Sequence, residues 1–158
     1  MKKMDWIEKA KEAIKNSSKH SSVYIGADSV RFKKGTYPDG RDKWFARYAT
    51  VIVVHKDSMR GCNVFHKVVT LPDYGQLRQR LMTEVQMSLD AFTEIEEVIG
   101  DRHLEIHLDV NSNPEHASNI VAKEAAGWVM GMGLTPRIKN DAWAASTAAD
   151  YCARGRIR

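Results

Sequence analysis

Residues 103–110 read HLEIHLDV, and residues 24–30 read YIGADSV. In the first stretch Leu104, Ile106 and Leu108 alternate with Glu105, His107 and Asp109, the two-residue period of a β-strand with one buried face. Acids and histidines on the second face of a buried strand need partners or a task, because an unpaired buried carboxylate is costly. The second stretch is an apolar strand interrupted by Asp28, with Gly26 two residues earlier on the same face, leaving open space beside the carboxylate.

Working outward from these two strands, residues 23–33 form the first strand, a Pro-Asp-Gly turn lies in KGTYPDGRDK, and residues 44–55 return as the second. Residues 63–71, NVFHKVVTL, give a third, so the first half is an antiparallel meander. Between residues 73 and 99 the apolar positions Leu77, Leu81, Val85, Leu89, Phe92, Ile95 and Ile99 recur at helical steps, and Gly100 stops that helix. After the fourth strand, Asn113 and Pro114 open a helix to about residue 132. Residues 135–139 form a short fifth strand, and Asn140 or Asp141 caps a last, alanine-rich helix. In front, Trp6, Ile7, Ala10 and Ile14 mark a helix over residues 4–16. The fold class is therefore α/β: a mixed five-stranded sheet, three antiparallel strands and then two parallel, with helices on its faces. Crossover handedness places the fourth and fifth strands beside the first. Residues 1–20 are expected to be an N-terminal helix and linker, and residues 21–158 one domain.

The 158-residue length suits one ordinary domain, and no repeat is visible. No apolar run approaches the roughly 20 residues of a membrane span, and the start MKKMDWIEKAKEA is charged, so a soluble, cytoplasmic protein with no membrane partner is expected. Cys62 and Cys152 stand apart with no Cys-x-x-Cys pair, against a disulfide framework or thiolate zinc site. No Gly-x-Gly-x-x-Gly follows a strand and no Gly-Lys-Ser or Gly-Lys-Thr occurs, against P-loop chemistry. A net charge of +4 permits a polyanionic partner, with Lys33, Arg78, Arg80, Lys139 and Arg154 as candidate phosphate contacts. The same cations can equally form solvated faces and ends.

If the first and fourth strands are parallel neighbours, Asp28 and Asp109 can point into one cleft at their carboxyl ends, the usual location of sites in open sheets. Glu84 sits beside the buried stripe of the long helix and can lean over the sheet edge, and Asp141 opens the last helix. Four carboxylates meeting there would repel one another unless a cation compensated them. Magnesium or manganese prefers such oxygen ligands, and a two-metal site hydrolyses phosphodiesters. Each acid also has a plainer account: Asp28 receiving hydrogen bonds from a turn, Glu84 pairing with Arg80, Asp141 capping a helix.

The order of elements, with acids in YIGADS, TEVQ, HLDVNS and IKNDAWAAS, resembles the ribonuclease-H-like superfamily. HLDVNSNPEHASN, EAAGWVMGMG and IKNDAWAASTAADYCARG are similar, more narrowly, to the YkuK-type branch of predicted RNase H-related proteins, over about residues 22–154. The resemblance implies a two-metal nuclease site of Asp28, Glu84, Asp109 and Asp141, holding Mg2+ or Mn2+ and acting on RNA, an RNA:DNA hybrid or structured DNA. It departs from better-characterised RNases H in lacking the His-bearing loop before the last helix, since only Asn140 separates the fifth strand from Asp141. His116 and His107 are candidate substitutes. A single helix between the fourth and fifth strands also leaves no room for the basic handle some RNases H use on hybrid duplexes. Two alternatives remain: a catalytically inactive module of this fold that binds nucleic acid or docks a partner, and an assembly protein docking through its first helix.

Overall fold

The computed structural model describes residues 5–58, 61–108 and 119–138. Its elements run α1 (Trp6–Lys15), β1 (Ser22–Thr36), β2 (Asp42–His55), a short 3-10 turn (Lys56–Ser58), β3 (Cys62–Pro72), α2 (Leu77–Ile99), β4 (His103–His107), α3 (Asn119–Gly131) and β5 (Thr135–Arg137). The five strands form one sheet in the order β3-β2-β1-β4-β5. β1 pairs antiparallel with β2, and β2 with β3, while β4 lies parallel to β1 and β5 parallel to β4. This is the mixed sheet that the alternation and crossover rule predict.

Strand alternation sorts the side chains into two faces. Val23 and Ile25 of β1, Ile52 and Val54 of β2, and Ile106 of β4 join Leu81, Val85, Leu89, Phe92 and Ile95 of α2 in the main core. Ala122, Ala125 and Val129 of α3 complete that side. On the opposite face Ala49, Val51, Val53 and His107 are also buried, so the central strands are withdrawn from water on both sides. α1 is part of the same core rather than a free arm: Ala10 and Ile14 are fully buried, and Asp5 caps the helix by accepting from the Ile7 amide at 2.6 Å.

α2 begins at Leu77, not at residue 73. The physical reason is Asp73, whose carboxylate accepts from the Gly75 amide and pairs with Arg31 and Arg80, holding residues 73–76 as a loop. Gly100, at φ 56°, ends the helix as expected. The predicted last helix lies outside the described residues. β1 and β2 run well past the ladder with β4, which ends at Gly26 and His107, and project as a hairpin arm. Its tip is closed by the Tyr37 amide donating to the Arg41 carbonyl at 2.7 Å and the Gly40 amide donating to the Tyr37 carbonyl at 2.9 Å, with Gly40 at φ 88°.

Candidate active site

Asp28 sits in β1 opposite Ala49 of β2, two residues beyond the last rung of the β1–β4 ladder. Its Oδ1 accepts from the Ser29 amide at 2.8 Å, which fixes the carboxylate against the strand. The β1–β2 register is unbroken here, so the next side chain, Ser29, points to the helix-covered face. There the Ser29 hydroxyl donates to Glu84 Oε2 at 2.7 Å. The helix acid and the strand acid thus meet β1 at consecutive residues, from its two faces. Among the described residues β1 has only β2 as a strand neighbour at this point, so both carboxylates lie along an open flank.

Glu84 is 6% exposed and is buried with Leu81 and Val85 on the covered side of α2. The expected alternative partner, Arg80, faces Asp73 instead, at 3.7 Å. Leu81, Val85, Ser88, Ala27, His107 and Leu108 enclose with Glu84 a cavity of about 10 Å3, about the room one water requires. The Ser88 hydroxyl, buried beside it, has no hydrogen-bond partner among the described residues. Close by, burial pushes the Tyr48 phenol up, its contact with Thr83 pulls it back, and the negative charge of Glu84 adds to the rise.

The second face of β4 holds a network that was legible only as a puzzle. His103 Nε2 lies 2.7 Å from Glu105 Oε2, His107 Nε2 lies 3.2 Å from Oε1, and Arg137 of β5 reaches Oε2 at 3.3 Å. Burial works to raise the Glu105 carboxyl, but these three donors outweigh it and leave it below the usual range. His107 is 1% exposed and packs its ring 5.3 Å from that of Tyr24. Burial holds its imidazole below its ordinary value against the pull of Glu105. The alternation of His, Glu and His at every second residue is the sequence signal for this network.

The remaining candidates divide. Arg78 is hydrogen-bonded through Nε to Glu124 of α3 at 3.3 Å, and Lys33 stands 3.8 Å from Asp42 on the arm, more than half exposed. Asp109, Asp141, His116, Lys139 and Arg154 lie outside the described residues. Among the described residues no three His, Cys, Asp or Glu side chains form a group that could hold a metal, and no helix is long and apolar enough to cross a membrane. No curated protein and no solved structure gives a significant match to the chain. A family model does: the Ribonuclease H-like description matches residues 5–154, α1 included. With that match and the sheet order found here, the chain belongs to the ribonuclease H-like family.

Proposed function

We propose that the protein is a Mg2+- or Mn2+-dependent nuclease that hydrolyses phosphodiester bonds in RNA, an RNA:DNA hybrid or structured DNA. The observation that carries this reading is the Ser29–Glu84 hydrogen bond, which brings the helix acid to the residue beside Asp28. The donor chemistry fits a hard divalent ion: two carboxylates on a stretch of β1 that has no strand neighbour on one side among the described residues, with a buried hydroxyl, Ser88, that has no partner among them, in the small cavity that Glu84 lines. Asp28 and Glu84 would hold the ions together with Asp109 and Asp141. The last described ladder pair, Gly26 with His107, stands two residues before Asp28 on β1, and His107 precedes Asp109 by two residues in sequence. The narrower likeness to YkuK-type proteins rests on the phrases around Asp109 and Asp141.

When bound, such ions neutralise phosphate charge and lower the pKa of an attacking water. The chain's own part is positioning. Ser29 orients Glu84 through its hydroxyl and Asp28 through its amide, so one residue sets two carboxylates. His107, buried between Tyr24 and Glu105, acts as a positioning residue, and His116 is a candidate for proton transfer.

The test is cleavage of a panel of single-stranded, hybrid and branched nucleic acids with Mg2+ or Mn2+. Wild type is expected to cut at least one, and Asp28→Asn and Glu84→Gln to lose the activity while keeping their melting temperatures. Cleavage surviving in Asp28→Asn would refute the assignment. Absence of cutting by wild type, with binding retained, would favour the inactive binding module.

A further inference from the structure

The β1–β2 arm is a strongly basic segment of the chain. Residues 31–47, the β1–β2 arm, contain Arg31, Lys33, Lys34, Arg41, Lys43 and Arg47 against Asp39 and Asp42, an excess equal to the +4 of the whole chain. The charges outside it cancel only in sum, since residues 1–20 and 137–158 are also basic and the segment between is acidic. Aromatic rings interleave these cations. Arg31 lies 4.3 Å above Trp44, Arg41 and Lys43 lie 5.3 and 5.2 Å from the ring of Tyr37, and Arg47 lies 5.1 Å from that of Phe32.

On the helix-side face of the arm Arg31, Tyr37, Arg41, Asp42, Trp44, Asp73 and Tyr74 line a cleft of about 410 Å3, the Asp42 carboxylate standing 3.8 Å from Lys33. Tyr74 is 72% exposed, and Tyr37 and Trp44, with cations over their rings, are each still more than a third exposed. Asp73 adds little open negative charge, because its carboxylate is 5% exposed and engaged by Arg31 and Arg80. The loop wall is fixed to the strand wall by the Asp73 amide, which donates to the Trp44 carbonyl at 2.9 Å. The cleft is thus a built surface, not a chance gap.

We propose that this cleft binds a single-stranded segment of nucleic acid, its bases stacking on Tyr37, Trp44 and Tyr74 and its phosphates meeting Arg41, Lys43 and Lys33. Accessible ring faces select unpaired bases, since a paired and stacked duplex presents none, and interleaved cations supply the backbone attraction. The inference deepens the nuclease reading and in that part rests on it: Arg31 follows Asp28 by three residues on β1, roughly 10 Å at the rise of a strand. Arg31 and Ser29 share the helix-covered face of β1, so a strand held in the cleft leads toward Glu84, while Asp28 stands on the opposite face of the same strand.

The experiment is fluorescence anisotropy in EDTA with short labelled single-stranded RNA, single-stranded DNA and the duplex of the same sequence. Wild type is expected to prefer a single strand, and its RNA or DNA arm to identify the sugar. The Tyr37→Ala/Tyr74→Ala protein is expected to bind it about tenfold or more weakly with an unchanged melting temperature. Arg41→Gln/Lys43→Gln is expected to lower the slope of log affinity against log salt by roughly 1.4. Duplex bound as tightly as single strand, or aromatic variants that bind normally, would overturn the proposal. Cleavage persisting in Asp28→Asn while binding still depends on the arm would remove the assignment of Asp28 to the nuclease site and leave this proposal standing.

Discussion

The Ser29 hydroxyl donates to Glu84 Oε2 across 55 residues of sequence, and its amide holds Asp28 Oδ1. Ser29→Ala removes the first bond and leaves a carboxylate that is 6% exposed without that donor. The expected cost is about 1 to 3 kcal/mol, read as a lower midpoint in urea. Cleavage should fall with it, and Ser29→Thr, which restores a hydroxyl, should recover much of both.

Glu105 gives a pH dependence whose direction follows from its donors. Its folded pKa lies below the ordinary carboxylate value because His103, His107 and Arg137 outweigh burial. Stability from this group is present above the unfolded carboxylate pKa, near 4.3, and is lost as pH falls through the depressed folded value. Glu105→Gln should lower stability at neutral pH and show a shallower loss on acidification below about pH 4.5. Melting temperatures of both proteins across that range check this.

Ser88 buries a hydroxyl with no partner among the described residues. Ser88→Ala removes that desolvated group from an otherwise apolar helix stripe, and a gain of about 1 kcal/mol is expected. Denaturant titration would show it as a midpoint above wild type at an unchanged slope.

Ile14 of α1 is fully buried with α2 and β1 residues. Ile14→Ala should cost about 2 to 5 kcal/mol, the range for truncating a core aliphatic side chain. A helix merely attached to the domain would unfold without shifting the main transition, so one cooperative, lowered transition is the expected result.

Much of this arrangement was readable from local pattern. Period-2 alternation in HLEIHLDV and the helical stripe from Leu77 to Ile99 each commit to one element, and the crossover rule then places β4 beside β1. What local pattern could not supply was the set of long-range polar partners. Asp73 looked like the start of a helix, yet Arg31, 42 residues earlier, takes its carboxylate and delays α2 to Leu77. Arg80 and Glu84 look like an ideal helical pair, yet each bonds off the helix, to Asp73 and Ser29. The same limit hid Ser29, which carries no signature beyond following an acid. The charge of the arm was in plain view, but its meaning depended on the hairpin register that sets Arg31 against Trp44.

The central claim, that Asp28 and Glu84 belong to a cation-holding site, is tested most directly by melting wild type and Asp28→Asn with and without Mn2+, since this requires no knowledge of the substrate. At an ion concentration about 100 times its dissociation constant, wild type should gain about 2.7 kcal/mol, and Asp28→Asn should gain far less. Equal melting of wild type with and without Mn2+, or an equal gain in both proteins, would contradict it.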